Sequence, residues 1–393
     1  MSFTPNLFTP TEEHYELRLE VRDFVTSHNM DKQAEEFDQK EHLNLELFRE
    51  VAERGWLGVT IPEKDGGMGL DATAAVIIHH ELSKSDPGFC LAYLAHSMLF
   101  VNNFYHCANE DQIERFLEPT LTGEWVAAMA MTEPDYGTDV LGMTTTAVRD
   151  GDEYILNGSK TYITNAPEAH IFLVYAKVQG KITAFVVTRD CPGLVTPPHI
   201  SKMGMRASSM GEVIFQDCRI PASNLLGVEG GGLTHMMRNL EIERLTLAAM
   251  SLGIGDRCMS MMVEYGTQRI AFGQPINRFG QIQRFIGEDY AILEAMRCLI
   301  YNEATNVRVD NNNRIGSDAS KLFAAPMAKK IADDCMQVYG GAGYCREFPI
   351  ERLLRDAKLL EIGGGTLESH QKNISKDLSK MFANGELNRD YNK

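Results

Sequence analysis

Hydrophobic residues recur every three to four positions in the first third of the chain. The segments EEHYELRLEVRDFV, LNLELFREVAERGW and AAVIIHHELSK show this spacing, which is typical of helices with one buried face. Between them, the glycine-rich stretch TIPEKDGGMGLD at 60–71 and the Asp86-Pro87-Gly88 break indicate loops. The pattern predicts a helical domain over residues 1–126.

Short runs of β-branched and aromatic residues replace this spacing between residues 125 and 220. They are EYILNGSKTYIT, HIFLVYAKV, ITAFVVTRD and EVIFQDCRI, with turns predicted at Asn157-Gly158 and Pro192-Gly193. We predict a β-barrel-like middle domain over 127–230. Helical spacing returns near 231 and holds to 383, which predicts a helical domain over 231–393. The fold class is α+β, mostly α, and the two helical thirds are expected to pack together.

Composition and charge narrow the possible functions. The net charge of −16 argues against binding to nucleic acid or to an anionic membrane. No run approaches the roughly 20 apolar residues of a membrane span, and the N-terminus lacks an apolar signal core. A cytoplasmic protein is therefore expected, or a mitochondrial matrix protein if the chain is a processed eukaryotic form. The eight cysteines are scattered without zinc spacing, so no metal site is predicted.

Two segments carry groups that suit a flat cofactor with a phosphate tail. In NGSKTYITNA (157–166), Tyr162 and Thr164 share one face of a predicted strand, which places an aromatic ring beside a hydroxyl donor. In RIAFGQPINRFGQIQ (269–283), Arg269 and Phe272 are expected one helical turn apart, and arginine can hold two phosphate oxygens at once. An ordinary hairpin and a surface arginine are the alternative interpretations.

Two glycine-rich turns lie near the end of the chain. Glycine is costly to order unless the backbone needs unusual dihedrals or another group must approach closely. Gly340-Gly341 and the run Gly363 to Gly365 can both present bare backbone N–H groups to anions or carbonyl oxygens. The sequence therefore predicts ligand contacts at both turns.

The segment NLEIERLTLAAMSLG (239–253) holds two glutamates with different helical neighbours. Glu241 has Arg238 three positions before it and Arg244 three positions after it, which predicts a salt bridge. Glu243 has only neutral residues at the corresponding positions, so burial of this face should raise its pKa. Carboxylates of that kind serve as general bases. The alternative is that Glu243 faces solvent and has no role.

Taken together, these segments resemble the acyl-CoA dehydrogenase family over nearly the whole chain. The motifs follow the family's order: TEP-x-x-GTD, NGSK-x-YITN, MRAS…EVIF, R-x-x-FGQPI, Q-x-YGGAGY, RDAK and GGT-x-E. The resemblance implies a helical–β–helical fold, FAD as the cofactor and oxidation of an acyl-CoA thioester at its α,β carbons. In the family a base removes the α proton while the β hydrogen leaves as hydride to flavin N5.

The resemblance also implies roles for individual residues. Thr164 resembles the hydroxyl near flavin N5, and Tyr162 falls where most members have Trp. Arg269 and Phe272 resemble a pair that reaches a neighbouring subunit's FAD, which implies a homo-oligomer, usually a tetramer. Further cofactor contacts are implied at Met131, Thr132, Thr138, Gln281, Gln337, Gly340, Gly341, Thr366 and Glu368. Substrate contacts are implied at Thr138, Glu241, Arg244, Gly363 and Gly364. Since FGQIQ departs from the family, either Gln281 or Gln283 could take the flavin contact.

One departure concerns the catalytic base. Many members have Tyr-Glu-Gly-Thr at the last turn, and its Glu is the base, whereas this chain has Gly363-Gly364-Gly365-Thr366. The isovaleryl-CoA dehydrogenase branch also lacks that Glu and takes its base from a helix motif, L-D-L-E-R-L. The matching LEIERL at 240–245 puts the base at Glu243. A glycine at 363, where many relatives carry Tyr, predicts a pocket wide enough for a short branched acyl chain.

Two alternatives to this function stay open. The same chemistry could act on a thioester bound to a carrier protein in a biosynthetic pathway, or the chain could be a non-catalytic flavin-binding protein. By resemblance alone, the electron acceptor is expected to be an electron-transfer flavoprotein.

Overall fold

The computed structural model describes residues 3–307 and 314–386. Side chains of Thr11 and Asp71 accept hydrogen bonds from backbone N–H groups at the starts of two of the predicted helices and so fix where they begin. The helices of the first third are α1 (Glu12–Ser27), α2 (Met30–Lys40), α3 (Leu45–Glu53), α4 (Ala72–Leu82), α5 (Pro87–Leu94), α6 (Asn103–Tyr105) and α7 (Glu110–Leu121).

A π-helical stretch, Ala95–Asn102, continues α5 into α6. Such wide turns are rare and occur frequently near functional sites. Asn102, at its end, donates from its buried amide to Asn239 Oδ1 at 3.0 Å. The first third of the chain is thereby joined to a long helix of the last third.

The middle segment forms one sheet with the strand order β6-β7-β3-β2-β4-β5-β8, and β1 pairs with β4. Among the described strands, β6 and β8 end this order without pairing to each other. The strands are β1 (Ala127–Ala130), β2 (Thr146–Asp150), β3 (Glu153–Thr164), β4 (Ile171–Val178), β5 (Lys181–Thr188), β6 (Leu194–Val195), β7 (Met210–Pro221) and β8 (Leu225–Leu226).

One of the two predicted turns in this sheet is wrong. Asn157 and Gly158 lie inside β3, where the pairing with β7 shifts register and Gly158 takes a φ of +143°. The glycine therefore marks a β-bulge in a continuous strand, because it accepts a backbone conformation that other residues resist. The turn at Pro192-Gly193 is present between β5 and β6, with Gly193 at a φ of +88°.

The last third is built around α8, a helix of 37 residues. Its elements are α8 (Gly232–Gln268), the two-stranded hairpin β9 (Ile270–Ala271) and β10 (Gln274–Pro275), α9 (Gly280–Ala304), α10 (Ile315–Tyr339), α11 (Gly341–Tyr344), α12 (Ile350–Leu360) and α13 (Leu367–Ala383). None of the helices in the described ranges is long and apolar enough to cross a membrane.

The two helical thirds share one hydrophobic core. Phe24 and Trp56 from the first third lie in the same buried cluster as Met250, Ile300 and Leu353 from the last third. The sheet contributes a separate core of its own. The predicted packing of the helical segments against each other is confirmed, since each helix has one apolar face to remove from water.

Candidate active site

Glu243 lies on α8 with an ionisable side chain that is buried. The residue is only 5% exposed, and within the described residues neither carboxylate oxygen accepts a hydrogen bond. Burial raises the pKa of Glu243, while Arg244 and Lys321 oppose the rise. The predicted burial and the predicted direction of the pKa shift are confirmed. The prediction considered only positions three and four residues away, but the adjacent Arg244 on the same helix also supplies a positive charge near Glu243.

The glycine turn at 363–365 lies directly against this carboxylate. A Cβ placed on Gly364 would lie 3.2 Å from Glu243 Oε1 and would overlap the Cδ1 atom of Leu247. Gly364 also has a φ of +65°, a conformation that side chains with a Cβ resist. A side chain at 364 would be strained by this backbone conformation and would require the ends of the Leu247 and Glu243 side chains to move.

The predicted salt bridge of Glu241 is wrong. Within the described residues Glu241 has no ion pair, since Arg244 Nη1 lies 2.9 Å from Asp318 Oδ1 and Arg238 donates to backbone carbonyls of the first third. Burial, then the neighbouring Glu303, raise the pKa of Glu241 to about 7. Helical spacing predicted that Glu241 pairs with Arg238 or Arg244, but both arginine side chains extend to other parts of the structure.

A buried group of ionisable residues lies behind the glycine turn and was not indicated by the sequence pattern. Lys321 Nζ lies 2.5 Å from the Gly363 carbonyl oxygen and 2.6 Å from that of Gly365. His370 Nδ1 lies 2.6 Å from Asp318 Oδ1. Asp318 and Lys321 lie on α10 and His370 lies on α13. Because about 50 residues separate the two helices' contributions in sequence, no local spacing could have predicted that they meet.

The predicted cofactor residues of the middle segment lie along one rim of the sheet. Thr161 N–H donates to the Thr132 carbonyl oxygen at 2.9 Å, so the strand end carrying Tyr162 and Thr164 runs beside Met131 and Thr132. Tyr162 is 61% exposed, Thr164 is half-buried, and Ile163 between them is buried, as alternation requires. A bulge at 161–162 gives Tyr162 a φ of +57°. Thr138 is exposed in the loop after β1.

The sequence pattern also did not indicate the buried ion pair that joins these two segments. Lys160 Nζ lies 2.9 Å from Glu133 Oε1 and 3.1 Å from the Met131 carbonyl oxygen. Burial acts to raise the pKa of Glu133. Hydrogen bonds from Thr144 and Thr145 and the nearby Lys160 ammonium have a larger effect in the opposite direction and lower the pKa to about 2. The Glu of TEP and the Lys of NGSK therefore hold together the two segments in which cofactor residues are predicted.

We expect Lys160→Met to destabilise this rim. Removing one partner of a buried pair leaves the Glu133 carboxylate uncompensated, which costs about 3–5 kcal/mol. The expected result is weaker FAD retention and a lower thermal unfolding midpoint. Lys177→Met, at a half-buried lysine on β4 without an ion pair among the described residues, is the control and should change neither quantity. Equal effects of the two substitutions would contradict the role of the pair.

Arg269 and Phe272 are not one helical turn apart. Helix α8 ends at Gln268, and Phe272 with Gly273 forms the tight turn of the β9–β10 hairpin, at φ values of +49° and +80°. The glycine and the positive φ favour a two-residue hairpin turn over a helix. Phe272 is 95% exposed and Arg269 is exposed, so both project from the chain into its surroundings.

The other predicted cofactor residues also lie on the surface. Gln283 Nε2 donates to the Asn277 carbonyl oxygen at 3.1 Å, whereas the Gln281 side chain has no hydrogen bond among the described residues. Gln337 is exposed in the last turn of α10, just before the bare turn Gly340-Gly341. The Gln281 side chain is therefore the one of the two that is free for a ligand.

Thr366 and Glu368 begin the last helix. The Thr366 hydroxyl oxygen accepts a hydrogen bond from Ser369 N–H at 3.3 Å and so caps α13. Glu368 is exposed in the first turn. The Thr366 hydroxyl also lies 3.2 Å from the Ser369 hydroxyl, and either can be the donor of that hydrogen bond. No group of residues in the described ranges has the composition to hold a metal ion.

Comparison with known proteins identifies the family. Sequence models of acyl-CoA dehydrogenase domains match at residues 11–124 (N-terminal), 128–218 (middle) and 230–379 (C-terminal). Isovaleryl-CoA dehydrogenase of Pongo abelii is 38% identical over 383 residues, which cover 95% of this chain and 90% of that protein.

Two solved structures show the same fold. Butyryl-CoA dehydrogenase of Megasphaera elsdenii is 32% identical, with a TM-score of 0.90 over 96% of this chain and 100% of its own. An acyl-CoA dehydrogenase of Bacillus anthracis, described as complexed with FAD, is 30% identical, with a TM-score of 0.87 over 96% of this chain and 68% of its own.

The chain belongs to the acyl-CoA dehydrogenase family, whose members are FAD-dependent enzymes. The predictions of the family, of the fold class and of FAD as the cofactor are confirmed at this level. Isovaleryl-CoA dehydrogenases are among its relatives, in agreement with the branch that the glycine turn indicated. The roles of individual residues stay predictions.

The residues present fit a flavin dinucleotide. The half-buried Thr164 hydroxyl has no hydrogen-bond partner among the described residues, and it lies beside the exposed Tyr162 ring. Gly340 has a φ of +61°, and a Cβ on either Gly340 or Gly341 would meet only open space. One rim thus offers a ring and a hydroxyl to a flavin. At the glycine turn the Gly340 N–H donates to the Met336 carbonyl oxygen at 2.9 Å, so the Gly341 N–H is the group left for a phosphate.

Proposed function

We propose that this protein removes hydrogen from the α,β carbons of a short or branched acyl-CoA thioester, with Glu243 as the base. The observation that supports this proposal best is the position of Glu243, a buried carboxylate without hydrogen bonds, facing a glycine turn. An unpaired buried carboxylate costs free energy, and a binding site for a substrate is the usual reason for keeping one.

The α protons of a thioester are weakly acidic, so the protein has to assist proton removal from two sides. Burial makes Glu243 a stronger base than a carboxylate in water. A hydrogen-bond donor at the thioester oxygen stabilises the negative charge that develops when the proton leaves. FAD supplies the acceptor for the β hydride when it is bound.

The Gly364 N–H group is our candidate for that donor. Within the described residues no carbonyl or side chain accepts a hydrogen bond from it. It belongs to the same turn whose Cβ position lies 3.2 Å from Glu243 Oε1, so donor and base face one small volume. Holding the thioester between them contributes the orientation that the reaction needs.

The preference for a short branched chain rests on Gly363. A Cβ there would be in ordinary contact with Leu359, at 3.6 Å from its Cγ, so the position has no bulky side chain but could hold one. Space that a tyrosine fills in many relatives is therefore open to a methyl branch. Thr138, Glu241 and Arg244 are the further substrate contacts that we propose.

We further propose a homotetramer that passes electrons to an electron-transfer flavoprotein. The exposed Arg269 and Phe272 on the β9–β10 hairpin support a cofactor contact across subunits, because both side chains are open to another molecule. Within its own chain the Phe272 ring meets the edge of Phe279, at 6.0 Å between ring centroids. The compartment stays a prediction, cytoplasmic or mitochondrial matrix, and several relatives are named as mitochondrial.

Anaerobic titration of the holoprotein with a set of acyl thioesters tests this function. We expect isovaleryl-CoA and butyryl-CoA to bleach the visible flavin absorbance, isovaleryl-CoA faster. A carrier-protein thioester that bleaches faster than the CoA thioester with the same acyl group would favour the biosynthetic alternative. A colourless purified protein would favour the non-catalytic alternative, and bleaching by butyryl-CoA alone would contradict the branched-chain preference.

A further inference from the structure

Three hydrogen-bond acceptors surround the buried ammonium group of Lys321. The carbonyl oxygens of Gly363 and Gly365 lie 2.5 and 2.6 Å from Nζ, and His370 Nε2 lies 3.1 Å away. An ammonium carries three protons and no lone pair, so three acceptors match it completely. A neutral amine would leave one acceptor without a donor.

The state of His370 follows from its other neighbours. Asp318 Oδ1 lies 2.9 Å from Arg244 Nη1 and accepts from His370 Nδ1–H at 2.6 Å. Burial lowers the pKa of His370, so the ring is neutral and its Nε2 has only a lone pair to offer. His370 Nε2 and the Gly365 oxygen are 3.1 Å apart, and Lys321 supplies the protons that both need.

The contact at Gly363 determines where the Gly364 N–H group points. In a planar trans peptide the C=O and the following N–H point in opposite directions. Because Lys321 holds the Gly363 carbonyl, the Gly364 N–H group is directed away from Lys321. Lys321 also holds the Gly365 carbonyl, so it fixes the orientation of the Gly365–Thr366 peptide and of the Thr366 N–H group in the same way.

The turn needs such a contact because its own backbone does little to fix it. Gly364 and Gly365 have φ values of +65° and +100°, and three consecutive glycines lose more freedom on ordering than other residues do. Among the described residues, the Gly364 and Gly365 N–H groups make no backbone hydrogen bond. The side chain of Lys321 therefore orders the segment from outside.

We propose that Lys321 is the positioning residue of this site: its ammonium, held by the His370–Asp318 pair, aims the Gly364 N–H group at the thioester oxygen. This inference deepens the proposed function and rests on it. Lys321 touches neither substrate nor cofactor in this role. It acts through two peptide planes, and His370 and Asp318 act through Lys321.

This arrangement predicts a pH profile with two limbs. Burial lowers the pKa of Lys321 to about 7, Arg244 acts in the same direction, and the Glu243 carboxylate acts against both. Asp318 also favours the ammonium, and the neutral His370 accepts from it. Above its pKa Lys321 lacks one of three protons and releases an acceptor, so the rate falls as pH rises. The rate rises with pH at the acidic end, where Glu243 loses its proton.

The test compares Lys321→Met and Lys321→Arg with Lys376→Met. Lys376 is exposed on α13 and has no ion pair among the described residues, so the same chemical change there leaves no buried carboxylate unpaired. With isovaleryl-CoA or butyryl-CoA under anaerobic conditions, we expect Lys321→Met to slow flavin reduction about 100-fold, because a small misplacement of an aligned group costs that much. The dissociation constant for the thioester should stay nearly unchanged. Lys321→Arg should restore most of the rate and remove the alkaline limb.

A second measurement does not depend on turnover. Hydrogen–deuterium exchange of the amides at 362–367 should become about tenfold faster in Lys321→Met and stay unchanged in Lys376→Met. If no thioester reduces the wild-type flavin, the proposed function fails, and this exchange still decides whether Lys321 orders the turn. Unchanged exchange together with wild-type flavin reduction in Lys321→Met would overturn the inference.

His370→Leu covers the case in which Lys321→Met fails to fold. It removes one of the three acceptors and keeps the lysine, so the alkaline limb of flavin reduction should move to lower pH. A residue that only fills space would lower the amount of folded protein and leave the limb in place. An unmoved limb in His370→Leu would therefore contradict the role of the pair.

Discussion

Glu243→Gln should nearly abolish reduction of the flavin by acyl thioesters while the protein still binds FAD and substrate. Glutamine has the shape of glutamate but cannot take up the α proton, and the loss of a positioned base costs roughly 10²- to 10⁴-fold in rate. Stopped-flow measurement of flavin bleaching under anaerobic conditions would report this loss. The unfolding free energy should not fall, because the substitution removes a buried charge that has no hydrogen bond.

The control for this prediction is Glu264→Gln on the same helix. Glu264 is exposed near the end of α8 and is remote in sequence from the glycine turn, so the same chemical change there should leave the bleaching rate unaltered. Wild-type bleaching by Glu243→Gln would remove Glu243 from the role of base. Loss of FAD from Glu243→Gln would instead show that the residue supports the cofactor site.

The arrangement of layers could be predicted from the sequence because it depends on local periodicity. Apolar spacing of three to four residues indicated α1, α3 and α4, and β-branched runs indicated β3, β4, β5 and β7. Errors arose where a glycine in the sequence is compatible with more than one local structure. Gly158 marks a bulge instead of a turn, and Gly273 closes a hairpin where helical spacing had been expected.

Part of the site could be predicted for the same reason. The neutral helical neighbours of Glu243 and the glycine at 364 are both local features, and the structure brings the two positions together. The pairs Glu133–Lys160 and Lys321–His370 could not be predicted in this way. Each joins elements that are distant in sequence, and a lysine or glutamate in isolation is most often a solvated surface residue.

The local rules also gave one wrong pairing that matters for the site. Spacing along α8 paired Glu241 with Arg244, but Arg244 reaches Asp318 on α10. Asp318 in turn holds His370, so this arginine belongs to the group that supports the glycine turn. Tertiary contacts decide such cases because a buried ion pair is favourable only where further hydrogen bonds satisfy both partners.

A side chain at position 364 would compete for space with the end of the Glu243 side chain, so we expect Gly364→Ala to lower both stability and the rate of flavin reduction. A Cβ on Gly364 would overlap Leu247 and approach Glu243 Oε1 to 3.2 Å, and it would have to adopt a φ of +65°. The left-handed backbone costs about 1–2 kcal/mol, and the overlap adds to it. Gly364→Ala should therefore be less stable than wild type and reduce its flavin about 100-fold more slowly, because the N–H donor is displaced.

Gly363→Ala is the matched control for that substitution. Its Cβ would meet Leu359 at an ordinary 3.6 Å, and the residue does not have a positive φ. It should keep the wild-type urea midpoint, whereas Gly364→Ala should unfold at a lower urea concentration. If the two alanine variants had the same midpoint and the same bleaching rate, the turn would have room for a side chain at 364. Steric competition between position 364 and Glu243 would then not explain why the base is on α8.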